Sequence, residues 1–139
     1  MSAPKVSLNL ADARRITAAA ERRAQELNIP YVIAVVDAGG TLISHVRMDD
    51  AWLGSVDIAI NKAFTARAFN MSTDDLSKLT QPGESLFGIH ATNHSRLVIF
   101  GGGIPVKHGD LVIGAVGASG GSVENDIKVA KAAVGAYQG

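Results

Sequence analysis

The segment Ile99–Gly121 reads Ile-Phe-Gly-Gly-Gly-Ile-Pro-Val-Lys-His-Gly-Asp-Leu-Val-Ile-Gly-Ala-Val-Gly-Ala-Ser-Gly-Gly, and it holds eight of the 15 glycines of this 139-residue chain. Apolar runs on both sides of Lys107–Asp110 predict a hairpin with strands at 104–106 and 111–118. Glycine has no side chain, so a strand rich in glycine loses packing and conformational entropy. The space left by these glycines must therefore serve a bound ligand or another backbone segment. We expect the functional surface here.

The rest of the chain predicts an antiparallel α+β fold. Tyr31–Val36 and Thr41–Arg47 are apolar or alternating runs joined by a glycine turn, which indicates a second hairpin, and residues 97–100 predict a fifth strand. Apolar residues at spacings of three and four predict helices at 9–27, 51–69 and 123–137, and Thr73 with two aspartates is expected to cap a short helix at 73–79. Because hairpins alternate with helices, we expect residues 1–139 to form one domain with helices packed on a sheet.

Composition excludes several classes of function. The chain has 13 basic and 13 acidic residues, so no positive surplus favours nucleic-acid binding. It has no cysteine, which excludes thiol catalysis, disulfides and thiolate metal sites. No apolar stretch is long enough to predict a membrane span. Residues 1–5 lack the features of a signal peptide, so we expect a cytoplasmic location.

Several motifs together resemble the GlcG/HbpS family, which also includes the C-terminal domain of PduO-type proteins. The matching segments are Ile33–Gly40, Arg47–Asp49, Ile58–Ala63 with Thr65–Ala66, Gly102–Val106 with Gly109, and Gly114–Gly121 with Asp126. The resemblance implies a profilin-like fold, in which helices flank a five-stranded antiparallel sheet. It also implies a homo-oligomer, with octamers known in the family, and haem as a cofactor of some members. The haem ligands of the family lie outside the shared motifs, so none is assigned here by resemblance.

The candidate ligand-binding residues lie in the matching segments. They are Arg47, Lys62, Gly102, Gly103, Ser119 and Gly120. Lys62 interrupts an apolar helix face, so its ammonium either binds an anion in a pocket or extends to solvent at a rim. Arg47 either binds a carboxylate or pairs with a neighbouring aspartate. Ser119 and Gly120 precede the last helix, where free N–H groups either attract an anion or form an ordinary cap with Ser122.

The histidines give the candidates for an iron ligand. His45 shares a strand face with Arg47, and an imidazole beside a guanidinium suits haem iron with a propionate partner, although a surface histidine fits the pattern equally well. His90 and His94 are four residues apart, but they lie in a turn-rich loop, so no closed metal site is expected. His108 lies in the predicted hairpin turn and is expected to be exposed.

Two functional hypotheses follow. The first is a small cytoplasmic oligomer that binds haem or a related tetrapyrrole, although only 5% of the residues are aromatic, which is low for a tetrapyrrole pocket. The alternative is an enzyme that acts on a small carboxylate or carbonyl compound in a catabolic pathway. Under either hypothesis we expect Lys62, Arg47 and the backbone of three glycines to border one pocket for a ligand with carboxylates, either haem propionates or a small acid; the glycines are Gly102, Gly103 and Gly120.

Overall fold

The protein, described over residues 6–137 in a computed structural model, combines four α-helices with four β-strands. Residues 1–5, on which the expectation of no signal peptide depends, lie outside this range, as do residues 138–139. The elements in chain order are α1 (Leu10–Leu27), β1 (Val32–Asp37), β2 (Leu42–Arg47), α2 (Leu53–Phe69), α3 (Thr73–Thr80), β3 (Gly103–His108), β4 (Leu111–Ser119) and α4 (Val123–Gly135). No helix between residues 6 and 137 has the length and apolar character needed to cross a bilayer.

The strands form one antiparallel sheet in the order β2-β1-β4-β3. The central strands β1 and β4 are buried on both faces, which explains their nearly continuous apolar sequences. Helices α1 and α4 cover one face, where residues such as Ile33 and Val116 enter the main core. Helix α2 covers the other face, where Val32, Ala34 and Ala115 meet its alanines. The predicted antiparallel α+β architecture is confirmed.

Close packing of α2 on the sheet accounts for much of the glycine in the opening segment. A Cβ atom at Gly117 would meet the Ala59 carbonyl oxygen, and one at Gly103 would meet the Lys62 carbonyl oxygen. Both contacts would be impossible without movement of the helix backbone. The missing side chains therefore make room for the backbone of α2, which is one of the two explanations that the sequence predicted.

The fifth strand expected at residues 97–100 is absent from the described residues, so the sheet has four strands. The Val98 N–H donates to the Thr65 Oγ1 atom at 3.0 Å, a side chain of α2, and not to a neighbouring strand. Leu97 is buried. The apolar run thus reflects packing against a helix, because strand-like composition reports a half-buried surface more than a backbone preference.

Side chains cap the helices largely where the sequence indicates. Asn9 forms a reciprocal capping box with Asp12, and Ser122 accepts a hydrogen bond from the Asn125 N–H. At α3 the prediction of Thr73 as the cap was wrong, because the Ser72 side chain accepts the Asp75 N–H and Thr73 is the first residue of the helix. The buried Thr73 hydroxyl instead accepts the Gly103 N–H at 2.9 Å and so connects α3 to β3.

Candidate functional site

A groove of about 540 Å³ runs between α2 and the segment of residues 88–100 that crosses it. Its volume lies within the roughly 300–1,000 Å³ typical of small-molecule and cofactor sites. Most of its walls are apolar, with polar groups at a few positions. The lining residues are Asp57, Ile58, Asn61, His90, Ala91, Ser95, Arg96, Leu97, Val98, Ile99 and Phe100.

A left-handed turn shapes one wall of this groove. Asn93, His94 and Ser95 have φ values of 53°, 59° and 59°. The Ser95 N–H donates to the Thr92 carbonyl oxygen at 3.0 Å, and the Arg96 N–H donates to the Asn93 carbonyl oxygen at 3.1 Å. A left-handed conformation costs a non-glycine residue roughly 1–2 kcal/mol, and strain of this kind concentrates at functional sites.

His90 is the histidine that lines the groove. Its Nδ1 atom is buried and has no hydrogen-bond partner among the described residues. The ring packs edge-on against Phe87, with 5.7 Å between the ring centroids. Since buried polar atoms are normally paired, an imidazole with an unused nitrogen suits a ligand or an iron atom.

Arg96 supplies a positive charge to the groove. Its Cζ atom lies 3.9 Å from the centroid of the Phe64 ring, and its Nε–H donates to the Asn93 carbonyl oxygen at 3.1 Å. Asp57, in the first two turns of α2, supplies a negative charge and accepts a hydrogen bond from the Asn61 amide at 2.9 Å. The Arg96 guanidinium thus packs on Phe64, which follows Asp57 by about two turns of α2.

Lys62 is fully buried and does not open onto solvent. Its Nζ atom lies 2.6 Å from Asp126 Oδ2 and donates to the Ala118 carbonyl oxygen at 2.9 Å. Burial lowers the pKa of Lys62, and the Asp126 carboxylate opposes that shift. The face of the Phe100 ring lies 5.1 Å away and separates the ammonium from the groove. Ligand contact by Lys62 stays a prediction, and it would require movement of Phe100.

Among the glycine and serine candidates, Gly102 lies beside Lys62, because a Cβ atom at Gly102 would meet the Lys62 Nζ atom. Gly102 and Gly103 border a cavity of about 220 Å³ together with Asp74, Asp75 and Lys131. Gly120 packs against the Pro30 carbonyl oxygen and the Tyr31 ring, so little space is left beside it. The buried Ser119 hydroxyl donates to the Ser55 hydroxyl at 3.0 Å. Contact of these residues with one shared ligand stays a prediction.

His45 and Arg47 lie on the edge strand β2 opposite Ala34 and Val32, on the side of the sheet that α2 covers. The His45 Nε2 atom is buried and has no hydrogen-bond partner within residues 6–137. Burial lowers the pKa of His45, and the Arg47 charge lowers it further. Arg47 is exposed, and its strand lies two positions from β4, which holds Ala118. The structure therefore keeps the expected pair His45 and Arg47 together but separates it from Lys62.

The remaining histidines are peripheral. His94 lies in the left-handed turn and is exposed. His108 is exposed as expected, and its Nδ1 atom lies 3.0 Å from the Tyr137 hydroxyl. Within residues 6–137, no group of three or more histidine, aspartate or glutamate side chains could hold a metal ion.

The sequence analysis did not single out Arg96 or Phe100. Arg96 directly precedes the apolar run 97–100, and the treatment of that run as a strand drew attention away from its flanking charge. The signal that could have identified it is the loop position, because exposed loop residues held by a rigid scaffold often carry function.

A family model described as "Haem degrading protein HbpS-like" matches residues 8–135. The chain belongs to this HbpS-like family. The match confirms the resemblance seen in the sequence motifs, and it spans all of the helices and strands described above.

Named relatives agree with this assignment. An uncharacterised 15.0 kDa protein of Citrobacter freundii, from the dhaT-dhaS intergenic region, is 46% identical, and the match covers 94% of this chain and 92% of that protein. The corrinoid adenosyltransferase PduO of Citrobacter freundii is 41% identical to this chain. The match covers 96% of this chain but only 40% of the length of PduO. The protein in a crystal structure described as a PduOC:haem complex is 42% identical in sequence to this chain. The two structures superpose with a TM-score of 0.90 over 94% of each chain.

Proposed function

We propose that this protein binds haem or a related tetrapyrrole in the groove between α2 and residues 88–100. The observation that carries the proposal is the likeness, over 94% of the chain, to a structure described as a PduOC:haem complex. The apolar walls of the groove and its volume of about 540 Å³ support the same conclusion. Although aromatic residues are few in this chain, Phe100 lines the groove and Phe87 packs against His90.

In this proposal His90 is the residue whose imidazole would hold the haem iron. It lines the groove, and its Nδ1 atom has no protein partner among the described residues. Bound haem would supply an iron centre for redox or oxygen chemistry, while the protein contributes the axial imidazole and an apolar surrounding. His45 and His94 stay alternative ligands.

Titration of the purified protein with hemin tests this proposal. We expect a Soret band that saturates at one hemin per chain. His90→Ala should weaken binding and shift the band, whereas the matched variants His45→Ala and His94→Ala should retain both. Absence of a saturable Soret change would refute haem binding. Loss of the band in His45→Ala alone would place the ligand on β2.

The alternative enzyme hypothesis has less support. It requires Lys62 and Arg47 in one anion-binding pocket. Asp126 neutralises the Lys62 charge in the core, while Arg47 is exposed on a strand at the sheet edge. A small organic acid that raised the melting temperature, in a panel without hemin, would restore this hypothesis because a ligand of the folded state adds stability.

We also propose that the protein is a cytoplasmic homo-oligomer. Trp52 and Leu53, at the start of α2, are 66% and 87% exposed. Large apolar side chains that are exposed side by side favour contact with another protein surface. Cell fractionation tests the location, and the mass in solution tests the assembly.

A further inference from the structure

We infer that Arg96 recognises a carboxylate of the ligand, and that the left-handed turn Asn93–Ser95 holds Arg96 in place. This inference rests on the haem-binding function proposed above, and it adds the chemical group that the groove selects. It concerns a residue outside the candidate set derived from the sequence.

The guanidinium of Arg96 is oriented but only partly used. Its Nε–H donates to the Asn93 carbonyl oxygen at 3.1 Å, and its plane packs against the Phe64 ring. Its two terminal nitrogens have no hydrogen-bond partner among the described residues. A guanidinium offers two parallel N–H donors in a geometry that matches a carboxylate, and stacking on an aromatic ring reduces the side-chain freedom lost on binding.

The charges of the groove give the ligand one preferred direction. Arg96 lies near Thr65, while Asp57 lies about two helical turns closer to the start of α2. A carboxylate is therefore attracted to the Arg96 end and repelled at the Asp57 end. Between them the walls are mainly apolar, with Ile58, Ile99 and Phe100. This arrangement suits an apolar body with carboxylates on one edge, which is how a porphyrin carries its two propionates.

The backbone of the turn determines the position from which the Arg96 side chain extends. The Ser95 N–H and the Arg96 N–H both donate within the turn, and the Asn93 carbonyl oxygen accepts from both the backbone and the Nε–H of Arg96. Ser95 has φ 59°, which glycine adopts without strain and proline cannot adopt. Substitutions at Ser95 can therefore preserve or break the turn while the Arg96 side chain stays unchanged.

The test compares hemin with hemin dimethyl ester, in which both propionates are uncharged. We expect the wild type to bind hemin about tenfold or more tightly than the ester, because a charge-assisted bidentate contact is lost. Arg96→Gln should bring the ratio of the two dissociation constants close to one. Arg14→Gln, at an exposed position of α1, is the matched control and should keep the wild-type ratio.

The second pair of variants tests the turn. Ser95→Gly should keep the ratio, whereas Ser95→Pro should reduce it toward that of Arg96→Gln, with circular dichroism and thermal melting used to verify the fold. An unchanged ratio in Arg96→Gln overturns the role of Arg96, and an unchanged ratio in Ser95→Pro overturns the role of the turn. If neither hemin nor its ester binds the wild type, the proposed function itself fails. If both bind equally, only the carboxylate inference fails.

Discussion

The Lys62 ammonium, the Asp126 carboxylate and the Ala118 carbonyl oxygen form a buried polar contact that connects α2, α4 and β4. Asp126 Oδ1 also accepts the Gly121 N–H at 3.1 Å. A buried ion pair contributes little net stability when both partners are present, but removal of one partner leaves an uncompensated charge. At the residue scale, Lys62 is thus part of the core and not of an open rim.

Lys62→Met should therefore destabilise the protein, although a methionine would be harmless at a solvent-exposed rim. We expect a loss of about 3–5 kcal/mol in the free energy of unfolding, measured in urea, because the buried Asp126 carboxyl group loses its cationic partner. The double variant Lys62→Met/Asp126→Leu should recover most of it. As a control, Lys78→Met removes the exposed pair with Asp75 and should cost less than about 1 kcal/mol. A stable Lys62→Met protein would contradict the structural role.

Tyr31 should make the stability fall at high pH. Burial, and secondarily the nearby Asp126 carboxylate, raises the pKa of Tyr31 far above its ordinary value of about 10, and its hydroxyl has no hydrogen bond of good geometry. Above about pH 10 the unfolded chain releases this proton while the folded chain keeps it. The contribution of Tyr31 to stability is thus complete below about pH 10 and declines above it, by up to about 1.4 kcal/mol per pH unit.

Comparison with Tyr31→Phe is needed to isolate this effect, because Lys62 changes the stability with pH in the opposite direction. The lowered pKa of Lys62 lets the folded chain release its proton first, so that group adds stability as the pH rises toward about 10.5. We expect the wild type to lose stability relative to Tyr31→Phe between about pH 10 and 11.5, measured by urea unfolding. Parallel pH curves for the two proteins would rule out the raised pKa.

At the scale of elements, the contact between α2 and β4 determines the architecture of one face of the sheet. The helix contributes alanines, and the strand contributes Gly117, so the two backbones approach closely. The same helix positions Ile58 and Asn61 in the groove and Lys62 beneath Phe100. A change in the distance between α2 and the sheet would therefore affect both stability and the groove.

Gly117→Ala should disrupt this contact. The added methyl group would overlap the Ala59 carbonyl oxygen and lie near the Ala63 nitrogen, neither of which can move without the helix. We expect a loss of at least about 1–3 kcal/mol and weaker hemin binding. The matched control is Gly54→Ala in the first turn of α2, where nothing lies within 4 Å and the better helix propensity of alanine should be neutral or stabilising. Equal stability of the two variants would contradict the packing argument.

At the scale of the whole molecule, one sheet separates two cores of different composition. The face covered by α1 and α4 buries large side chains such as Ile16, Ile33 and Ile113, while the face covered by α2 buries mainly alanine and valine. The candidate groove lies on the α2 side, next to the exposed Trp52 and Leu53. An assembly formed through these two side chains would place subunit contacts close to the ligand.

Light scattering should therefore give a mass that is a multiple of 14.4 kDa at micromolar concentration. Trp52→Ser/Leu53→Ser should lower that mass, because the apolar contact area is reduced. Leu79→Ser, at a residue of α3 that is 40% exposed, is the control and should leave the mass unchanged. A wild-type mass near 14 kDa would refute the oligomer.

Most of the secondary structure could be predicted from the sequence because the patterns that indicate it lie within short stretches of neighbouring residues. Five-residue and longer apolar runs predicted β1 and β4, and the turn at Lys107–Asp110 predicted β3 as the hairpin partner of β4. Asn9 and Ser122 marked the starts of two helices. Residues 97–100 were assigned wrongly because a short apolar run has the same pattern whether it packs in a sheet or against a helix.

By itself, therefore, the sequence determined the antiparallel α+β class, the family and a set of chemically suitable side chains, since composition, periodicity and motifs are properties of neighbouring residues. Only the tertiary structure decided which of those side chains face a cavity. Lys62 and Asp126, 64 residues apart, are paired in the core, and Gly117 faces α2. His90, Arg96 and Phe100 meet Asp57 in one groove because α2 and the segment 88–100 pack together. Burial and long-range contact decide whether a charge binds a ligand or another residue, and neither can be read from local sequence.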